Sequence, residues 1–220
     1  MKKVFRMTIL FALVTIACPV CAQSLVELKQ NIIQITAHKK ATVGVAIMGF
    51  DGKDTLTVHG DEHFPMQSVF KFPIGLTVLH QVDKNKLELS RQIKLTKKDL
   101  IPNTYSPIRG KYPKGVTLNL SALIGYAVSE SDNIATDVLL DLIGGPKTVE
   151  AFIKTSGIRD ISIKHNEAEQ HKNWENQYDN WISPKAANLL LKTFYENKNG
   201  LLTNQSHRLI WSAMKATQTG

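Results

Sequence analysis

Residues 64–83, FPMQSVFKFPIGLTVLHQVD, divide the chain into two textures. Upstream of them the pattern is mixed. Leu25, Leu28, Ile32 and Ile35 recur at helical spacing, which predicts an amphipathic N-terminal helix. Val43, Val45 and Ile47 then alternate, Asp51-Gly52 offers a turn, and Leu56 and Val58 alternate again, which predicts a β-hairpin. Within the quoted stretch, Pro65 closes the extended part, and a helix is expected from near Ser68 to about Asp83. Downstream, the stripe Leu120, Leu123, Ile124, Ala127, Val128 marks another helix. Ile134, Val138, Leu139 and Leu142 mark a third, stopped by Gly144-Gly145-Pro146. Ser183-Pro184 is a cap followed by proline at the first helical position, opening a helix through Tyr195. Residues 163–182 have no periodicity and are polar and aromatic; a loop of that length in a compact domain is functional or disordered.

The chain has 220 residues, 43% hydrophobic and 21% charged, the balance of a globular protein rather than a disordered, collagen-like or coiled-coil one. Residues 1–22 read as a secretory signal peptide: Lys2, Lys3 and Arg6 start it, Met7 to Ala17 is an uncharged apolar run, and Val20-Cys21-Ala22 fits a cleavage site. The run is too short for a stable membrane anchor, and a lipidation site at Cys18 is poorly matched by Thr15 and Ile16. Cleavage after Ala22 removes both cysteines, so no disulfide scaffold, thiol nucleophile or cysteine zinc site is expected in the exported protein. The net charge of +8 loses three with the leader, and no dense basic run with interleaved aromatics argues for nucleic acid.

Three groups of residues could carry chemistry. Ser68 and Lys71 stand three apart, so on a helix the Lys71 amine can reach the Ser68 hydroxyl and take its proton. The pattern recurs at Ser212 and Lys215, which reads as a surface coincidence, and a helix-capping role for Ser68 is as good a reading of the motif alone. Ser131-Asp132-Asn133 lies between two helical stripes; its hydroxyl could relay a proton and its amide could bind a carbonyl or the Lys71 amine, although all three residue types are also ordinary helix caps. Glu167, in the aperiodic loop, could activate water, or be a solvated acid like Glu169 and Glu175. His165 and His171 do not have the spacing of a zinc motif, so no metal and no cofactor is expected.

Taken together, Ser-x-x-Lys at 68–71, Ser-Asp-Asn at 131–133 and the loop glutamate at 167 resemble the class A serine β-lactamases. Phe64-Pro65-Met66-Gln67-Ser68, Tyr105-Ser106-Pro107, Gly144-Gly145 and Trp181-Ile182-Ser183-Pro184 extend the resemblance. Met66-Gln67-Ser68 and Gln177-Tyr178-Asp179-Asn180-Trp181 are similar to the extended-spectrum subgroup of the PER and VEB types. The resemblance implies an α/β plus all-α architecture of the serine β-lactamase and penicillin-binding kind. Its divisions here are residues 23–63 as the N-terminal part of the α/β domain and residues 64–220 as a mainly helical domain with an omega loop near 163–182. It implies Ser68 as nucleophile, Lys71 as base or proton carrier, Ser131 as proton donor to the departing ring nitrogen and Glu167 as activator of the hydrolytic water. Tyr105, Asn133 and His171 would contact the substrate, a small β-lactam. A periplasmic monomer is implied, without nucleic acid or a membrane anchor.

There are departures. Most of the class bridges the omega loop with an arginine and an aspartate; the matching positions are His165 and Asn180, so the loop must be fastened otherwise. His171 stands where most members have an asparagine, as it does in the PER-type subgroup. No Lys-Thr-Gly strand follows, and two strands make a poor sheet, so a C-terminally truncated chain is expected. A penicillin-binding D,D-peptidase, a non-hydrolytic β-lactam sensor and an inactive truncated remnant are the alternatives.

Overall fold

A computed structural model describes the protein from residue 24 to residue 217; the expected leader, its cleavage site and both cysteines lie outside the described residues. The chain opens with α1 (Leu25–Ala37), which starts where the Ser24 hydroxyl accepts the Glu27 N–H at 3.1 Å. The expected hairpin follows as β1 (Val45–Met48) and β2 (Thr55–Val58), with Val45 opposite Val58 and Ile47 opposite Leu56. β3 (Phe64–Pro65) then leads into a short 3₁₀ turn at Gln67–Phe70 and into α2 (Lys71–Asp83). The helix expected from Ser68 is therefore present, with a tightened first turn. Ser68 caps nothing, because no side chain caps either segment.

Every residue of α2 from Lys71 to Leu79 is buried. A helix that is apolar on nearly all sides has to be surrounded, and α2 is the central rod of the helical part. Its neighbours include α4 (Leu120–Ser129), α5 (Asn133–Ile143), α6 (Pro146–Thr155) and α9 (Asn204–Lys215). The approach is close: a Cβ on Gly75 would stand 2.9 Å from Ile210 Cδ1 and 3.1 Å from Val128 Cγ2. The stripe Leu120, Leu123, Ile124, Ala127, Val128 is wholly buried, as its spacing requires. α5 ends at Gly144, whose φ of 91° is the left-handed conformation that glycine adopts without steric cost.

Several elements carry no usable pattern in the sequence. β4 (Gln92–Thr96) pairs with β5 (Gly115–Asn119), Ile93 opposite Leu118 and Leu95 opposite Val116. The first strand is only five residues long with Lys94 at its centre, and a long excursion containing α3 (Pro107–Lys111) separates the two. The aperiodic stretch at 163–182 is not bare loop. It holds α7 (Glu167–Lys172) and a 3₁₀ segment at Trp174–Asp179, between β6 (Ile161–Ser162) and β7 (Trp181–Ile182). Six residues are too few for an apolar period. A capping box starts α7 instead: Asn166 accepts from the Glu169 N–H at 2.8 Å, and Glu169 accepts from the Asn166 N–H at 3.0 Å. α8 (Pro184–Glu196) begins as expected, with the Ser183 hydroxyl accepting the Ala186 N–H.

β7 is the middle strand of a small sheet, paired on one side with β6 and on the other with β3. Phe64 lies opposite Ile182 and Pro65 opposite Trp181. The segment that enters Ser68 is thereby bonded to the segment that leaves the loop carrying Glu167.

Asp132 is the second fastening. It is fully buried, and its carboxylate accepts from Ser106 Oγ at 2.7 Å, from the Ile108 N–H at 2.8 Å and from the Ala135 N–H at 2.9 Å. It caps α5 and holds the start of α3 against it. Replacing it by alanine strands a buried hydroxyl and two amides, each worth about 1–3 kcal/mol. Asp132→Ala is expected to lower the unfolding free energy by about 3 kcal/mol or more, read as a shifted urea midpoint with an unchanged slope. A shift below a third of that would mean water replaces the carboxylate.

Candidate active site

The Lys71 ammonium is the meeting point of the candidates. Its Nζ lies 3.1 Å from Ser68 Oγ, 3.0 Å from Ser131 Oγ, 2.9 Å from the Ser131 carbonyl, 2.6 Å from Asn133 Oδ1 and 2.9 Å from Glu167 Oε1. Lys71 is 2% exposed. An ammonium has three protons, so five oxygens compete for them, and a proton can pass from one to another with little movement. Ser131 Oγ also donates to Ser68 Oγ at 2.8 Å, which closes a ring of Ser68, Lys71 and Ser131.

Each side chain is delivered by a local device. Ser68 and Lys71 face each other across one turn. Ser131 has a φ of 54°, in the left-handed region, and this aims both its hydroxyl and its carbonyl at Lys71. Asp132 takes the capping role, so Ser131 and Asn133 are left free. Asp132 is thus the cap of Ser-Asp-Asn, while Ser131 and Asn133 turn oxygen atoms to Lys71. Asn133 donates through Nδ2 to Thr104 Oγ1 at 2.9 Å, which turns its Oδ1 toward Lys71, and its N–H donates to the Tyr105 carbonyl at 3.1 Å. Tyr105 itself is exposed at the rim. His171 is exposed on α7 and joins Pro102, Thr104, Asn133, Asp137 and Glu167 around a cavity of about 320 Å³. Ser212 and Lys215 lie exposed on α9, away from this cluster.

Glu167 is placed by a residue that the motifs do not include. Asp137 Oδ1 accepts the Glu167 N–H at 2.8 Å and Oδ2 accepts the Ala168 N–H at 2.9 Å. Asp137 stands four residues after Asn133 on α5, hence on the same face, and that spacing is the signal that could have found it. Asn180 replaces the missing arginine–aspartate bridge of the loop. It is 1% exposed; its Oδ1 accepts the Lys164 and His165 N–H groups at 2.8 and 3.0 Å, and its Nδ2 donates to the His165 carbonyl at 2.8 Å. One amide thereby ties the entry of the loop to its exit. Around the rim, His165 Nε2 lies 3.0 Å from Asp179 Oδ2. Among the described residues, no group of three His, Cys, Asp or Glu side chains is placed to hold a metal ion.

Burial pushes the Asp137 carboxyl up to about 6; the amides of Glu167 and Ala168 oppose that shift, and the carboxylates of Glu167 and Asp141 add to it. Because its folded value lies above the ordinary 3.8, this group makes the fold less stable as pH rises from about 4 to about 6. The local consequence runs the other way: protonation turns one oxygen into a hydroxyl and weakens one of the two amide bonds. The Glu167 and Ala168 amide proton resonances are expected to titrate together with an apparent pKa near 6, moving upfield as acid is added. In Asp137→Asn that titration should vanish; its persistence would assign it to another group.

The sequence model of the beta-lactamase enzyme family matches residues 27–220. Over 194 residues the chain is 48% identical to Beta-lactamase VEB-1 of Pseudomonas aeruginosa, covering 88% of this chain and 65% of that one. It is 40% identical to the extended-spectrum beta-lactamase PER-1 of the same organism, covering 88% of this chain and 62% of that one. The chain thus spans less than two thirds of the length of these curated relatives. Among solved structures, the TLA-3 extended-spectrum beta-lactamase superposes with a TM-score of 0.85 at 41% identity, over 89% of this chain and 71% of that one. A beta-lactamase from Chitinophaga pinensis gives 0.82 at 44% identity, over 87% and 70%. The central α2 with its surrounding helices and small sheets is the class A serine β-lactamase fold, and the chain belongs to the beta-lactamase enzyme family.

Proposed function

We propose that the protein opens the β-lactam ring of penicillins and cephalosporins through an acyl-enzyme on Ser68 and hydrolyses that ester, giving antibiotic resistance. The observation that carries this reading is Lys71 Nζ, within 3.1 Å of Ser68 Oγ, Ser131 Oγ and Glu167 Oε1 at once. Ser68 Oγ attacks the lactam carbonyl carbon as its proton passes through a water to Glu167, or to Lys71 once the Lys71 ammonium has given a proton to Glu167. The carbon–nitrogen bond then breaks, and Ser131, in contact with both Lys71 and Ser68, gives a proton to the ring nitrogen and recovers one from Lys71, which takes back the proton held by Glu167 and leaves that carboxylate free. The Ser68 backbone N–H, in the 3₁₀ turn that leads into α2, supports the oxyanion. Glu167 takes a proton from water, which attacks the ester carbonyl, and Ser68 leaves with its proton restored. Asn133 and His171 bind the substrate from the cavity they line with Glu167, and the exposed Tyr105, whose carbonyl accepts the Asn133 N–H, contacts it from beside that cavity.

A deacylating carboxylate within reach of the serine cluster favours hydrolysis over the peptidase and sensor readings. The organisation that goes with it is an N-terminal α/β part over 23–63 and a mainly helical part over 64–220, acting as a monomer. Export to the periplasm rests on the leader read in residues 1–22. Among the described residues no helix is long and apolar enough to cross a membrane.

The test is covalent. With Glu167→Ala, mass spectrometry after mixing with a penicillin is expected to find a persistent adduct on Ser68, with turnover at least about 10²-fold lower. Ser68→Ala should abolish the adduct and Ser212→Ala should leave it intact. Rapid turnover by Glu167→Ala would remove Glu167 from its role.

A further inference from the structure

Gln67, the residue before the nucleophile, has a φ of 45°. This is left-handed backbone, uncommon for any residue but glycine. It sits in a tight turn closed by the Val69 N–H donating to the Met66 carbonyl at 2.9 Å, with Gln67 and Ser68 as the central pair. A turn that needs positive φ at its second position ordinarily uses glycine. Here a long side chain stands instead, and it is tethered: Gln67 Nε2 donates to Gln177 Oε1. Gln177 is 6% exposed, and its own Nε2 donates to the Trp174 carbonyl at 3.0 Å, which fixes the amide so that Oε1 faces Gln67. The Met66 N–H donates to the Asn180 carbonyl at 2.8 Å, two residues before the nucleophile.

We propose that Gln67 and Gln177 are a positioning pair: the hydrogen bond between their side-chain amides holds the strained turn at Gln67, and through the rigid peptide that follows it sets the direction of the Ser68 N–H. The inference rests on the acyl-enzyme reading of Ser68 given above and goes beyond it by making the far leg of the loop, not only Glu167, a support of the first covalent step. The peptide between Gln67 and Ser68 is planar, so a change of φ at Gln67 rotates the Ser68 N–H with it. Without the tether, an L residue at this position lowers its energy by leaving the left-handed region, and the N–H turns away from the lactam oxygen. Glycine has no such incentive to leave. The pair therefore predicts an inverted order of substitutions: glycine at position 67 should be better tolerated in function than alanine, although glycine is the poorer residue at the start of a helix.

The experiment uses the full chain and two readouts. The first is the second-order rate of Ser68 labelling by a fluorescent penicillin. The second is the Ser68 N–H residual dipolar coupling, which reports the direction of that bond without any reaction. Gln67→Ala and Gln177→Leu are each expected to slow labelling about tenfold, less than the loss of an oxyanion donor outright, and to shift the coupling. Gln67→Gly should slow labelling several-fold less than Gln67→Ala, and adding Gln177→Leu to Gln67→Gly should cost nothing further. Gln67 is exposed, so its variants test the pair even if Gln177→Leu folds poorly. Equal losses for Gln67→Ala and Gln67→Gly, or an unchanged coupling in Gln67→Ala, would overturn the pair. If the unsubstituted protein takes no label, the acyl-enzyme reading falls, while the dipolar coupling still decides whether Gln67 and Gln177 orient the N–H.

Discussion

A lysine ammonium left 2% exposed must be met by oxygen on every side, because an unpaired charge in the interior costs several kcal/mol. Lys71 imposes that demand on three separate parts of the chain. The 3₁₀ turn before α2 supplies Ser68, the turn into α5 and its first residue supply Ser131 and Asn133, and α7 supplies Glu167. None of these is near another in sequence; Ser131 and Asn133 are 60 and 62 residues from Lys71. Burial of one cation is thus what forces the helical bundle and the loop into a single arrangement. The apolar length of α2 keeps Lys71 from moving out to water, since the residues that follow it through Leu79 are all buried.

The loop that brings Glu167 has little core of its own; no residue of α7 is buried. It is held by polar groups at its edges. Asn180 joins its two ends, Asp137 takes two amides at the start of α7, and the Glu150 carboxylate accepts the Ile163 N–H at 2.8 Å. Among the described residues, no buried side-chain nitrogen or oxygen lacks a hydrogen-bond partner. A polar loop can be as well fixed as an apolar one when its donors and acceptors are matched in this way. The neutral amide of Asn180 suits the task, because it offers an acceptor to two N–H groups and donors to a carbonyl without adding a charge to a site already crowded with carboxylates.

What could be read from the sequence follows from this division. The helices α2, α4, α5 and α8 are legible because their apolar residues face a core, and α1 through its spacing alone, since none of its residues is buried; side-chain caps mark the starts of α1, α4, α5 and α8. The hairpin of β1 and β2 is legible through alternation and the Asp51-Gly52 turn. Ser68, Lys71, Ser131, Asn133 and Glu167 are legible as motifs, and the structure brings all five together around one nitrogen. The rest depends on tertiary pairing. β4 and β5 are too short and too far apart in sequence to announce each other, and α7 is too short to show a period. Asp137 and Gln177 are polar residues in segments whose ordinary explanation is solvent. Only the three-dimensional meeting of Asp137 with two amides, and of Gln177 with Gln67, separates them from their neighbours.

The same comparison explains where the sequence and local preference disagree. Gln67 and Ser131 both hold left-handed backbone, at a cost of about 1–2 kcal/mol each for an L residue. Against a total stability of about 5–15 kcal/mol for a domain, that is not negligible. Elsewhere among the described residues positive φ falls on glycine, as at Gly144 and Gly145, on Asn85, Asn103 and Asn197, a residue type that adopts it at lower cost, and on His59, so the fold does not lack the means to relieve strain. At these two positions glycine would remove the group that matters: the Ser131 hydroxyl in one case, the Gln67 amide in the other. Both stand within two residues of Ser68 in sequence or in hydrogen-bond contact with it. Strain is retained where a side chain and an unusual backbone direction are needed from the same residue, and it is sustained by the buried partners on either side.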